Sequence, residues 1–180
     1  MHMAEELTST GKAILGMVGL GKRTGYEIKQ LVDKSSRHFW AASYGQIYPE
    51  LKRLEDAGLL VSEDDPHGGR SRHAYSLTPA GKRALHEWLV SDDDLVFELR
   101  DEGMLKLFFA AELSREEIQA LLRKKVEQHE RVVTQLCAIA PGAHQTENDW
   151  PFVVRDYGVA FNEWAANWYR DLAKRLADGR

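Results

Sequence analysis

Ser43-Tyr-Gly-Gln-Ile-Tyr-Pro-Glu-Leu-Lys-Arg-Leu-Glu-Asp-Ala-Gly-Leu59 is the stretch on which the fold of this chain turns. Ser43-Tyr-Gly-Gln46 reads as a capping box: a serine that can accept from a first-turn amide, and a glutamine that can reach back to the serine's own amide. Ile47, Leu51 and Leu54 follow at i, i+4 and i+7, an inward stripe that turns Gly45, Pro49, Lys52, Arg53 and Asp56 away from the core, with Gln46 and Tyr48 on the flanks. The outward face is polar and partly basic, suited to solvent or DNA. Pro49 removes one backbone hydrogen bond, which predicts a kink or a loose first turn. Gly58 ends the helix.

Upstream, Ser9 to Leu20 predicts a short buried helix through Ile14, Leu15, Met17 and Val18, stopped by the glycines at 19 and 21. Thr24-Gly-Tyr-Glu27 is a second capping box and opens a helix with Ile28, Leu31 and Val32 inside, ending near Ser35; a loop at 37–42 then leads to Ser43. Downstream, Leu59 to Glu63 and Arg72 to Leu77 suit two short strands around a turn-rich tip, Asp64-Asp-Pro-His-Gly-Gly-Arg-Ser71. Thr78-Pro79 supplies an N-cap and a proline at the first helical position for a helix through Trp88 and Leu89. Three helices, a hairpin and a helix are the order of a winged helix-turn-helix.

The second half is helical. After the acidic break Asp92 to Asp94, a helix is expected over Glu98 to Ala111. Ser114-Arg-Glu-Glu117 is a third capping box, before a long helix whose seam runs Ile118, Leu121, Leu122, Val126, His129, Val133 and Leu136. A polar loop from Pro141 to Asn148 precedes a last helix, Phe152 to Leu176, carrying Val153, Tyr157, Phe161, Trp164, Trp168 and Leu172 on one stripe. The expected architecture is mainly α: a winged helix-turn-helix DNA-binding domain over 1–90 with a two-stranded wing, and an all-α dimerisation domain over 91–180.

Composition narrows the function. With 180 residues, 43% hydrophobic and 29% charged, the chain can bury a core and is neither collagen-like nor disordered. Cys137 is the single cysteine, so no internal disulfide forms and a reduced, cytoplasmic setting is expected. The apolar runs are too short to span a bilayer, and no leader pattern is visible. The net charge of −4 averages a near-balanced first half and an acidic second half. Lys22, Arg23, Lys29, Lys52, Arg53, Arg70 and Arg72 all lie in the first, and a local basic face is what a nucleic-acid contact needs. Gly16-Met-Val-Gly-Leu-Gly-Lys22 has the glycine and lysine spacing of a phosphate-binding loop, but Arg23 stands where a hydroxyl must hold magnesium and no strand precedes it. The seven histidines show no metal-ligand spacing, and no nucleophile-base signature is present. No cofactor, metal or enzymatic activity is therefore expected.

From Thr8 to Leu89 the chain resembles the PadR family of bacterial regulators. The match lies in Thr24-Gly-Tyr-Glu-Ile28, in the Gln46-Ile-Tyr-Pro-x-Leu-x-x-Leu run with its glycine, in the arginine-bearing wing, and in Tyr75-Ser-Leu-Thr-Pro-Ala-Gly81. Arg100-Asp-Glu-Gly-Met-Leu-Lys-Leu-Phe-Phe-Ala110 and the two long helices resemble the larger members, whose C-terminal region is similar to that of virulence-gene activators. The resemblance implies a homodimer on an inverted repeat of duplex DNA, usually a repressor, with helix three in a major groove and the wing beside a minor groove. The residues that fit this use are Ser43, Tyr44 and Gly45 near a phosphate and Gln46 and Tyr48 at base edges. Lys52, Arg53, Tyr26 and Lys29 fit phosphates, and Arg70 and Arg72 a minor groove.

Each of these residues also has a plainer use. Polar residues on a helix are commonly a solvated face, Tyr48 fits packing against the wing, and Tyr26 fits a core position. For the set, the motif context favours DNA. In the tail, Trp150, Tyr157, Phe161, Trp164 and Trp168 at helical spacing favour a dimer core over a pocket for a flat hydrophobic effector. The expectation is an effector-released homodimeric repressor. Its rival is a winged-helix interaction module that docks a protein partner through its aromatic tail; such a module has little use for Lys52, Arg70 and Arg72 together.

Overall fold

The computed structural model describes residues 7–34, 44–65, 72–92, 100–139 and 149–178. The chain forms two compact units, residues 1–94 and 95–180.

In the first unit, Thr8 starts α1 (Ser9–Gly19) by accepting from the Gly11 amide at 2.9 Å. The helix ends in a Schellman motif. The Gly21 amide reaches Val18 and the Lys22 amide reaches Met17, with Gly21 at φ 84°, a left-handed conformation that costs a glycine least. Gly19 remains helical, so Gly21 alone is the stop. The Thr24 capping box closes in both directions, with Glu27 accepting from the Thr24 amide and Thr24 accepting from the Glu27 amide, and α2 (Gly25–Lys34) follows.

Two expectations about the third helix change. A 3-10 turn over Tyr44–Gln46 leads into α3 (Ile47–Asp56), so Gln46 is the N-cap residue and makes no side-chain cap bond; Ser43, the other half of the expected box, lies outside the described residues. Pro49 then sits in the first turn of α3, where backbone amides have no intrahelical acceptor, and its missing N–H costs little. Gly58 at φ 71° ends α3 in a second Schellman motif, its amide on Glu55 and the Leu59 amide on Leu54.

Strands β1 (Leu60–Asp65) and β2 (Arg72–Leu77) pair antiparallel from Leu60 opposite Leu77 to Asp65 opposite Arg72. The first starts one residue later and runs two further than the sequence suggests. The Tyr75 amide donates to the Arg23 carbonyl at 2.6 Å and fastens the hairpin to the α1–α2 connection. Thr78 caps α4 (Pro79–Leu89), and its hydroxyl also reaches the Gly58 carbonyl at 2.7 Å. Gly81 is obligatory, because a Cβ there would collide with the Leu59 carbonyl. Ile14, Leu15, Met17, Val18, Ile28, Val32, Ile47, Leu51, Leu54 and Leu60 form one continuous apolar core. At about 1.5–3 kcal/mol for each fully buried large side chain, this core dominates the unit's stability.

In the second unit, Asp101 accepts from the Gly103 and Met104 amides and starts α5 (Glu102–Phe108). Of the expected helix from Glu98 to Ala111, Glu98 and Leu99 lie outside the described residues; Asp101 takes the N-cap, and the end tightens into a 3-10 turn over Ala110–Glu112. The Ser114 capping box forms, and α6 (Arg115–Cys137) packs along α7 (Trp150–Ala177), which begins two residues before the expected Phe152. Leu122, Leu136, Ala165, Ala166 and Tyr169 are buried there, together with Lys125, His129 and Asn162.

Candidate nucleic-acid interface

Burial of Ile47, Leu51 and Leu54 against α1 and α2 fixes which side of α3 meets solvent. Gly45, Gln46, Tyr48, Pro49, Lys52 and Asp56 are exposed. The Tyr48 ring, 61% exposed, lies across the start of α2: a Cβ on Gly25 would stand 2.6 Å from its Cε1, so glycine is what lets the ring lie there. The ring thus rests on α2 as well as facing outward. Tyr75 on the wing is near enough to Tyr48 to feel it, and its phenol pKa is raised by burial, by the Glu55 charge and by Tyr48. On α2, Tyr26 and Lys29 are both exposed, and the Tyr26 hydroxyl accepts from Gln30 Nε2 at 2.9 Å. Tyr26 is therefore a surface residue and not part of the core.

Arg53 is placed differently from Lys52. It sits at the border between the buried and exposed sides of α3, where its guanidinium grips Glu50 through Nε at 3.1 Å and Nη2 at 2.7 Å. Glu50 also accepts from the Thr8 hydroxyl at 2.6 Å. The Arg53 hydrogen bonds outweigh the penalty of burial, and with Thr8 they hold the Glu50 carboxyl below the usual carboxylate range. Glu50 is not among the residues expected to serve the site. Its signal was present as the i, i+3 spacing to Arg53, but that spacing alone does not tell a solvated pair from one seated against another helix.

Of the remaining expected contacts, Ser43 and Arg70 lie outside the described residues, while Tyr44 and Arg72 are described in backbone only, in the 3-10 turn and at the start of β2. Along α7, Trp150, Tyr157 and Trp164 are exposed, the last two by 61% and 62%, and Phe161 and Trp168 are half-buried. Tyr157 stacks on Phe161 with centroids 6.4 Å apart, and Phe161 tilts against Trp164 at 6.1 Å. The side of α7 that packs on α6 carries Asn162, Ala165, Ala166 and Tyr169 instead. An open groove of about 520 Å³ between α5 and α6 is lined by Leu105, Phe109, Leu113 and Leu121 together with the charged Glu102, Lys106 and Glu117. Among the described residues no helix is long and apolar enough to cross a membrane, and no cluster of side chains could hold a metal ion.

A helix with a polar, partly basic outer face, supported by a second helix and flanked by a two-stranded wing, defines a winged helix-turn-helix DNA-binding protein. The chain belongs to the PadR-like family of transcriptional regulators: residues 14–87 match that family's pattern, and residues 99–177 match the virulence activator alpha C-terminal domain. It is 34% identical over 125 residues to the negative transcriptional regulator PadR of Bacillus subtilis (strain 168), covering 69% of each protein. The crystal structure of Bacillus subtilis PadR in complex with operator DNA superposes with a TM-score of 0.81 at 27% identity, over 94% of this chain and 99% of that one. The same protein in complex with p-coumaric acid superposes with a TM-score of 0.73 at 27% identity, over 93% and 98%.

Proposed function

We propose that this regulator is a homodimeric repressor: residues 1–90 read an inverted repeat in duplex DNA, residues 91–180 hold two copies together, and a flat hydrophobic effector releases the complex. The observation that carries the reading is the division of surfaces. The polar face of α3, with Gln46, Tyr48 and Lys52 exposed, suits a major groove, and α5 and α7 leave a run of large apolar side chains uncovered, Leu105, Phe108, Trp150, Tyr157 and Trp164 among them. Gln46 and Tyr48 serve base edges. Lys52, Lys29, Tyr26 and the amides around Ser43 to Gly45 serve phosphates, and Arg70 and Arg72 serve a minor groove. The relative of known structure was solved both with operator DNA and with p-coumaric acid, which supports both halves of the reading. An effector acts by favouring one spacing of the two reading heads over another.

The test is selection of bound sequences from a random duplex pool, with the purified protein and with an Arg70→Ala, Arg72→Ala double variant run in parallel. The expected result is an inverted repeat, enriched strongly by the protein and weakly by the variant, from which p-coumaric acid or a related aromatic acid releases the protein. Failure to enrich any sequence, with affinity at physiological salt remaining at about 10⁻⁴ to 10⁻⁶ M, would sink the reading.

A further inference from the structure

Lys52 and Arg53 are adjacent basic residues on α3, and their environments are opposite. Lys52 is exposed. The Arg53 side chain is 26% exposed and its partner Glu50 only 11%, so this ion pair is largely withdrawn from water. The pair does not stand on α3 alone. Glu50 Oε1 accepts from Thr8, the residue that caps α1, and lies so close over the first turn of α1 that a Cβ on Gly11 would stand 2.5 Å from it. That Cβ would also come within 3.4 Å of Arg53 Nη2. Thr8, Gly11, Glu50 and Arg53 therefore form one joint, in which a carboxylate of α3 is seated on the positive end of α1 and closed by a forked guanidinium.

We infer that this joint is a positioning and specificity device: Glu50 and Arg53 set the angle at which α3 presents Gln46 and Tyr48, and Glu50 withholds the Arg53 charge from the DNA backbone. This rests on the reading of α3 as the DNA-facing helix. A guanidinium at the edge of that face, if released, attaches to any phosphate regardless of sequence and raises binding to all duplexes alike. Held by Glu50, it orders the helix without adding to that indiscriminate attraction. Arg53 is thus a positioning residue, and Lys52 beside it is a phosphate ligand.

Affinity is measured against salt concentration for a random-sequence duplex and for the inverted repeat recovered by selection, with circular dichroism confirming that each variant is folded. Lys52→Ala is expected to flatten the log–log salt slope by about 0.9, one phosphate contact, while Arg53→Ala leaves the slope unchanged and weakens only the recovered repeat. Glu50→Gln keeps the side-chain shape but loosens the grip on Arg53. It is expected to steepen the slope on random duplex by about 0.9, to raise affinity for it several-fold, and to lower the preference for the repeat. Gly11→Ala, which pushes the carboxylate off α1 without substituting any residue of α3, should act in the same direction and serves if Glu50→Gln does not fold. The inference is overturned if Arg53→Ala flattens the slope as Lys52→Ala does, or if both Glu50→Gln and Gly11→Ala leave slope and preference unchanged. If Lys52→Ala itself has no effect on the slope, the assignment of α3 to the DNA fails first, and the joint's role in reading DNA falls with it.

Discussion

The two units stabilise themselves by different means. Among the described residues the first buries ten apolar side chains in one cluster and a single charged residue, Glu50, at its margin. The second buries five apolar residues, two of them alanines, and places Lys125, His129 and Asn162 among them. Its ordering comes from a chain of polar contacts. Lys125 Nζ lies 2.9 Å from both Asp101 oxygens and 5.5 Å from the centre of the Tyr169 ring; the Tyr169 hydroxyl reaches Asp101 at 3.5 Å, and its ring stacks on His129. His129 Nδ1 meets Asn162 Oδ1 at 2.7 Å, and because Asn162 Nδ2 donates to the Gly158 carbonyl, the histidine is the donor in that pair. Leu105, Phe108, Phe109, Tyr157 and Trp164 meanwhile stay exposed, Phe108 by 82%. A unit with a thin core and this uncovered apolar surface gains most from a partner, which is the physical argument for the proposal that dimerisation lies there.

The two units differ most in what Lys125 does for the second. Lys125→Met strands the Asp101 carboxylate in a largely buried site and is expected to cost about 3–5 kcal/mol. Leu51→Ala, the matching lesion in the first unit, is expected to cost about 2–5 kcal/mol through the cavity it leaves. Hydrogen exchange followed residue by residue should show each loss concentrated in its own unit, and a loss spread evenly over both would mean that the units do not differ as described.

Dimerisation is the next lever. Trp164→Lys puts a charge into the exposed stripe and is expected to convert a sedimenting dimer to monomer, with a loss of at least about 2 kcal/mol of association, while the helical content of the first unit is kept. A variant that sediments as wild type would move the interface off this stripe.

Titration sharpens the contrast with smaller effects. Burial of Asp101 opposes its ionisation, but the Lys125 ammonium and the Met104 and Gly103 amides outweigh it and hold its carboxyl below the usual 3.8; Glu50 is likewise held below 4.5. A carboxylate with a lowered folded pKa lends stability that is complete above its unfolded value and is lost as pH falls through the folded one. Both units should therefore weaken in acid, Asp101→Asn blunting the loss only in the second and Glu50→Gln only in the first. At the alkaline end both units should respond, the first through the raised phenol of Tyr75 and the second through Tyr169, whose shift is the larger. Burial, with the charge and the hydrogen bond of Asp101, pushes the Tyr169 phenol up to about 12, so its stabilisation is intact below pH 10 and lost as pH rises through that value. Tyr169→Phe should abolish the second unit's alkaline step in a denaturant series.

Much of the fold was legible because it rests on local chemistry. The Thr24 and Ser114 capping boxes, the Thr78-Pro79 start of α4, the Gly58 stop and the β2 strand are each specified by a few adjacent residues. The departures lie where competing local signals are resolved by packing. Asp101 takes the N-cap of α5 ahead of Glu102, which the run of apolar residues does not announce, and the expected interior proline of α3 is a first-turn proline because the 3-10 turn absorbs Tyr44 to Gln46. The exposed side of α3 was readable from the spacing of Ile47, Leu51 and Leu54, while the different fates of Lys52 and Arg53 were not, since helical spacing carries no information about what α1 brings to the same place.

By itself, the sequence determined the element order, the winged helix-turn-helix class and which face of α3 is polar. These follow from periodicity, caps and turn residues acting over a few positions, together with a motif long enough to be specific. The tertiary structure alone decided that Glu50 closes onto Thr8, 42 residues away in the chain, and that Asp101 meets Lys125 and Tyr169, 24 and 68 residues away. Contacts of that separation depend on how helices cross, and the strength of a charge pair depends on how far the crossing excludes water, neither of which is written in any local run of residues.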